Sequence, residues 1–448
     1  MYMLLVKQFI RSKAVVLSFI LIVVMGIISI LIGRQFLSRQ ENTIRQVTTH
    51  QREHIERNVA AHDEMGLLLY YLRFSLISKP DKLAALSIGQ RDVNPGIQSV
   101  TIRTLEGQKY DTDLNNPSNL QSGNLDLGFI ILYLFPLLII AFTFNLLSEE
   151  KEAGTWRLIA VQARSAKVYL LQKVSVRAVA LYSWLVILLL IAILVLSLPV
   201  NEALWAFIVA SILYLAFWFA FCFWIITFRR SSSFNVLTLL SAWVVFTILL
   251  PASVNNIVAN LYPVPESLAT MVKQRDGYHE KWDMDKGITM EKFYAHYPQY
   301  KSYGIPEQTF NWLWYYAMQQ MGDDESVQYS NAMREKILQR ERVSRSIAMV
   351  MPTMHTQLLF NDVARTSLTD YVQLLDSTHV FHERLRLHFY PKIFDNAAVK
   401  DENWKSFIPE YISDRKDMNW SAMLLPLIVA VVLLSILSVA NMRQIKSV

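Results

Sequence analysis

One cysteine, Cys222, stands in 448 residues, so no part of the chain is held by an internal disulfide. Charge is also scarce. Asp, Glu, Lys and Arg make up 18% of the residues against 53% hydrophobic ones, well off the balance of a soluble protein. With 13 glycines and 14 prolines there is no repeat and no low-complexity tract. The chain has no Gly-x(4)-Gly-Lys-Ser/Thr phosphate loop, no Gly-x-Ser-x-Gly elbow and no glycine-rich dinucleotide loop. His382-Glu383 fails as a zinc-protease motif, because position 386 is Arg and His388 falls on another helical face. These absences exclude a secreted enzyme, a disulfide scaffold and a disordered tail. They also leave this chain without a nucleotide site.

The abundant apolar residues are clustered. Six uncharged runs are long enough to cross a hydrocarbon layer of about 30 Å as helices. They are Ala14–Ile32, Leu127–Leu147, Ala178–Leu198, Ala203–Phe228, Phe234–Leu250 and Trp420–Val439. Pro251 and the polar run Ser253–Asn256 mark the end of the fifth, or a stretch lining a cavity. Inside the runs, Asn145 and Ser183 are candidates for facing the bundle interior, and Pro136 for a kink near the midplane. No run holds an acid, lysine or arginine, which argues against proton coupling and for an external energy source.

Basic residues fix the expected orientation. Lys7, Arg11 and Lys13 precede the first run, Arg229 and Arg230 separate the fourth and fifth, and Arg443 and Lys446 follow the sixth. The 148–177 loop adds Lys151, Arg157, Arg164, Lys167, Lys173 and Arg177. All of these segments fall on one side of an even number of spans, so both termini are expected in the cytoplasm. The formal net charge of +6 is thus juxtamembrane, which suits anionic lipid and gives no basic outer face for nucleic acid.

Residues 35–125 and 259–419 are too long to be connectors and are expected to fold as two extracytoplasmic domains. In the first, Ile44, Val47, Ile55, Val59 and Leu67 keep helical spacing and predict a stalk over Gln40–Leu69. Ile97–Leu105 reads as a small β element. The second is mostly helical, with elements expected at Glu307–Met321, Glu325–Met349 and Gln357–His388. The fold class is an all-α polytopic membrane protein. Its order is residues 1–34 as an amphipathic helix and first span, 35–125, the four spans of 126–258, 259–419, and the last span within 420–448.

Metal ligation has weak candidates only. His50 and His54 share a helical face at i,i+4, and Met351, Met354 and His355 form a soft cluster suited to copper(I). Methionines so spaced more often pack a core. The aromatic stretch Phe310–Tyr316 is more often a domain core than a gripping surface.

The 148–173 loop carries the most information. Gly154 breaks a helix, Thr155 caps the next, and Trp156–Val161 is a helix of about two turns lying across the membrane face. The pattern Glu-x-x-x-Gly-Thr-x-x-Leu falls on Glu150, Gly154, Thr155 and Leu158, with Ala153 before the glycine and Arg164 and Lys173 downstream. It resembles the coupling-helix loop of type-2 ABC transporter (ABC-2) permeases, and Lys7–Lys13 resembles the amphipathic helix before their first span. Met351–Thr366 and His379–Pro391 resemble a subgroup with a large extracytoplasmic insert, related to the copper-site maturation permease NosY. Arg365 stands where that subgroup often has Gly.

The resemblance implies a permease subunit of a bacterial inner (cytoplasmic) membrane transporter rather than an enzyme. It implies two copies of an ATP-binding subunit that carry ATP and Mg2+, and a second permease, identical or a sister chain. Contact with those subunits would fall on Glu149, Glu150, Glu152, Gly154, Thr155, Trp156, Leu158 and Arg164. The outer segments would meet cargo or a periplasmic or outer-membrane partner. The alternative is a membrane-anchored sensor or envelope assembly factor with ligand-binding outer domains.

Overall fold

The computed structural model describes residues 2–94, 96–109, 124–154, 166–264, 280–412 and 418–443. Six helices are long and apolar enough to cross a membrane: Lys13–Ala61, Leu127–Glu152, Val168–Leu196, Glu202–Ile226, Ser232–Leu261 and Trp420–Met442. Each expected apolar run falls on one of them, the third and fourth runs overshooting the helix end by two residues, and the protein is a mostly helical, multi-pass membrane protein.

Three spans run through a proline, Pro136, Pro251 and Pro426, a residue that lacks an N–H and clashes with the carbonyl four residues back. Single π turns at Ile130–Leu134 and Val245–Leu249 end two residues before Pro136 and Pro251. The wider turn absorbs the clash, so the helix continues. The fifth span therefore does not stop at Leu250. It carries Ser253–Asn256 on to Leu261. Ser183 is exposed and does not face the interior, while Asn145 is half-buried.

The polar segments build a body on one side of the bundle. The helix α1 (Tyr2–Arg11) precedes α2 (Lys13–Ala61), which is one rod of about 73 Å that crosses the bundle and continues into the body. A Cβ on Gly33 would lie 2.1 Å from the Ala85 carbonyl oxygen, so only glycine lets the rod touch the turn at Lys82–Ala85. Next come α3 (Met65–Tyr71), β1 (Phe74–Ile77), β2 (Ile97–Val100) and the single turn α4 (Glu106–Lys109). Between the fifth and sixth spans lie α5 (Lys286–His296), α6 (Trp312–Ala348), α7 (Pro352–Val363), α8 (Leu368–Phe394) and β3 (Glu410–Tyr411).

The expected two outer domains are one body. β1 pairs antiparallel with β2 and parallel with β3, so one sheet joins the two segments. Their apolar residues also share one core, in which Ile55, Leu69 and Phe74 from the first pack with Phe293, Trp314, Tyr316 and Phe389 from the second. The aromatic stretch is thus mainly core. The stalk ends at Ala61, and the β element shrinks to four residues of strand. Two expected helices merge into α6, where Gly322 is tolerated inside the helix and covered by Thr104. The third breaks at Ala364–Ser367, where Arg365 takes a left-handed φ of 56°.

A buried pair pins the segments together. Arg386 donates to Asp323 (2.7 Å) and to the carbonyls of Ile102 (3.1 Å) and Arg103 (2.7 Å). Asp323 in turn accepts the Leu105 amide at 2.8 Å and the Glu106 amide at 3.2 Å. Burial still raises the Asp323 carboxyl, against the pull of Arg386.

His382, one turn before Arg386, is 1% exposed and faces the backbone of Thr101 and Arg103. Burial first, and then the Arg386 charge, hold its ring well below the ordinary histidine range. The folded value lies below the unfolded one, so the contribution of this group is complete above about pH 6.5 and is lost on acidification. The slope is at most about 1.4 kcal/mol per pH unit for one proton. The melting temperature in detergent is expected to fall from pH 7 to pH 5, and His382→Gln to flatten that fall. An unchanged slope in the variant would place the acid sensitivity elsewhere.

Candidate functional site

Within the second span the regular helix ends at Thr143, and the turn after it presents carbonyls with no helical partner. Three side chains meet them. Arg177 donates to Phe142, Asn235 to Phe144 at 3.0 Å, and Lys173 to Leu146 at 3.3 Å. Arg177 and Lys173 place positive charge at the negative end of the helix dipole. Arg177 also lies over the Phe9 ring, which seats α1 against the bundle.

From this capped end the chain turns into Ser148–Glu152, a short helix gripped on both sides. Glu150 accepts from Lys173 at 2.6 Å and from the Tyr169 hydroxyl at 2.8 Å, which ties it to the third span. Glu152 accepts from the Ser232 amide at 2.8 Å and from the Ser232 hydroxyl at 2.9 Å, which ties it to the start of the fifth. A carboxylate there satisfies an orphan amide and favours the positive helix end. Ser148 meets the Ser232 hydroxyl at 2.7 Å. Glu149 is exposed.

Gly154 closes this helix with a φ of 72°, donating its N–H to the Lys151 carbonyl. Among the described residues no atom beyond the chain neighbours lies within 4 Å of a Cβ built on it, and the positive φ is what requires glycine. Thr155, Trp156, Leu158 and Arg164 lie outside the described residues. The described part of the candidate set therefore comes together as Glu150, Glu152 and Gly154. The motif pointed to Lys173 but not to Tyr169 or Ser232, whose roles depend on how the spans pack.

A second feature has no counterpart in the linear reading. The end of α6 and the start of α7 form a hairpin inserted among the spans. Arg340 donates to the carbonyls of Ala259 (3.2 Å) and Tyr262 (2.6 Å) at the body-side end of the fifth span. The hairpin tip at Ala348–Pro352 lies eight or more residues further in, about 12 Å along the helix. Phe360 of α7 stacks on Phe207 with ring centres 4.1 Å apart. The Tyr214 hydroxyl donates to the Leu132 carbonyl at 2.8 Å and meets Thr353 Oγ1 at 3.1 Å. Leu132 is the acceptor that Pro136 cannot serve, so the fourth span and the hairpin share a node with the π turn of the second. Arg345 pairs with Asp362 at 2.7 Å and with Glu341 at 2.7 Å, which brings charge beside spans that carry none.

Two of the five metal candidates make other bonds. His54 meets the Tyr71 carbonyl at 3.0 Å and Asn58 at 3.2 Å, and His355 meets the Met423 carbonyl at 2.8 Å. His50 is exposed; Met351 and Met354 are half-buried on the hairpin. Among the described residues no three of His, Cys, Asp and Glu form a metal-sized group. In the Met351–Thr366 stretch, Gln357, Asn361 and Thr366 are structural pins. Gln357 donates to Asn361 at 3.0 Å, Asn361 accepts from Ser87 at 2.8 Å, and Thr366 donates to the Ser87 carbonyl at 3.0 Å.

Residues 268–411 match a family model described as a domain of unknown function, DUF3526. The match covers α5 to α8 and β3 and leaves all six spans and the 148–173 loop outside it. No curated protein and no solved structure matches the chain.

Removing Glu150 strands Lys173, which is 4% exposed. Glu150→Ala is expected to cost about 3 kcal/mol or more, and Glu149→Ala less than about 0.5 kcal/mol. Combining Glu150→Leu with Lys173→Leu should recover most of the loss, as read from thermal unfolding of the purified variants.

Proposed function

We propose that this protein is the transmembrane permease subunit of a bacterial ABC transporter. A separate ATP-binding subunit hydrolyses ATP with Mg2+ and drives substrate across or out of the inner membrane. The observation that carries the reading is the grip on residues 148–154. A segment with the Glu150, Gly154 and Thr155 pattern of a coupling loop is tied to the third span by Glu150 and to the fifth by Glu152. A push on that segment reaches two spans without passing through a flexible link. In this reading the cytoplasmic face is the 148–154 side, both termini lie there, and the body is extracytoplasmic. Two copies of the ATP-binding subunit dock on the loops of two permease chains.

The test is a mild-detergent pull-down of the tagged chain from its native membrane, with partners identified by mass spectrometry. An ATP-binding subunit is expected in about equal amount. Gly154→Val combined with Thr155→Ala should lose it, since a β-branched residue at positive φ costs about 1–2 kcal/mol and displaces the loop. A second permease in the eluate distinguishes a heterodimer from a homodimer. Recovery of a signalling protein and no ATP-binding subunit would sink the transport reading and favour a membrane-anchored sensor.

A further inference from the structure

The second span meets the body at three buried residues, Leu86, Ser87 and Ile88. The Leu86 carbonyl accepts the Gly128 amide at 2.7 Å, and the Ile88 amide donates to Asp126 Oδ2 at 2.8 Å. Between them, the Ser87 hydroxyl donates to Asn361 at 2.8 Å, and its carbonyl accepts from Thr366 at 3.0 Å. One tripeptide thus joins the first turn of the second span to the end of α7 away from the hairpin tip.

Asp126 is the titratable group of this joint. Its other oxygen, Oδ1, caps the span by accepting the Phe129 amide at 2.8 Å. Both oxygens therefore serve backbone N–H groups, and the residue is 6% exposed. Such a carboxylate is bonded but deprived of water, and that loss penalises its charge. Burial raises the Asp126 carboxyl to about 6, against the pull of the two amides, and the Asp92 charge adds to the rise.

The surroundings offer no cation to offset this, among the described residues. Asp92 lies in the loop after Ile88 and accepts from Asn124. Lys82 and Arg91 of the same segment are turned to the Ser197 and Ser78 carbonyls. Asp362 of α7 is paired with Arg345, and Arg34 of α2 is exposed. The second span itself contributes the Tyr133 phenol two turns on.

We propose that Asp126 is a proton-controlled latch between the second span and the body: protonated, it keeps the joint shut, and ionised, it lets water in. The shut joint holds the proton more tightly than an open, hydrated one. Its proton-linked stability is complete below about pH 3.8 and is lost as pH rises through about 6. The open fraction therefore rises about tenfold from pH 5 to pH 7.5 and levels off above that. In the orientation of the proposed function the latch reads the extracytoplasmic pH. That assignment of side rests on the transport reading, whereas the latch itself does not.

The test is hydrogen–deuterium exchange of the full chain in lipid nanodiscs, read by peptide mass spectrometry and corrected for the chemical exchange rate at each pH. The Ile88, Gly128 and Phe129 amides are expected to lose about tenfold in protection from pH 5 to pH 7.5, while the amides of β1 keep theirs. Acid loss at His382 loosens the fold in the opposite direction, so it does not mimic this result. Asp126→Asn should remove the dependence. Asp92→Asn alters an exposed side chain and should move the midpoint to lower pH, since it removes a charge that raises Asp126. If Asp126→Asn does not elute as the parent does, the Asp92→Asn midpoint decides, and an unmoved midpoint overturns the proposal. Joint protection that is flat or rises with pH, an equal change in β1, or a slope retained in Asp126→Asn would each overturn it as well.

Discussion

A carbonyl oxygen released inside hydrocarbon can be answered only by another protein group, because no water reaches it. Pro136 releases the Leu132 carbonyl, and the donor is the Tyr214 hydroxyl of a different span. The bond joins the second span to the fourth near the centre of the bundle. Tyr214 also meets Thr353, so the node extends to the tip of the inserted hairpin. Another carbonyl of the same π turn, at Tyr133, accepts the Trp243 indole N–H from the fifth span at 3.2 Å. A defect in one helix thereby fixes where two other spans and the hairpin sit. The packing of Phe360 on Phe207 then follows from that placement.

The same demand recurs at the helix ends. Three carbonyls where the regular helix of the second span ends are answered from the third and fifth, and two at the end of the fifth are answered by Arg340 of α6. Polar contacts are few in this bundle, so each one carries more information than any apolar contact. Apolar contact holds the spans together without fixing their order. The capping side chains select which helices meet.

The sequence makes the spans legible because span length and lack of charge are local properties. It makes Gly154 legible because a glycine between a charged helix and a capping threonine has a local reason. The hairpin was hidden. Met349–Pro352 is flanked by charged residues at Arg345 and Asp362, too close together for any apolar run to reach spanning length, and those charges cancel only once α6 and α7 fold against each other. The single outer body was hidden for a related reason. Leu76 and Glu410 are paired across β1 and β3, yet the separation between them holds four of the six spans. Nothing in the local pattern of either segment announces such a partner. Arg365 shows the opposite case: the backbone there takes the left-handed turn that glycine would favour, and a short turn closed by Thr366 holds a bulky side chain in it.

The fifth span is the least enclosed of the six, with 11% of its apolar window buried inside the protein. Its position is nevertheless determined, since it is gripped near both ends by charged side chains. Glu152 holds its first turn at Ser232, and Arg340 holds its last carbonyls at Ala259 and Tyr262. A rod held at its ends and weakly packed along its sides can shift along its axis at small cost in apolar contact, because it exchanges one lipid-like surface for another. In the proposed coupling, displacement of residues 148–154 would act on this rod first. The far end would then load Arg340 and, through α6, the buried Asp323–Arg386 pair in the centre of the body. The two ends of the chain of contacts are about one bundle and half a body apart, yet every link between them is a helix axis or a charge-assisted hydrogen bond. Such links transmit displacement with little slack.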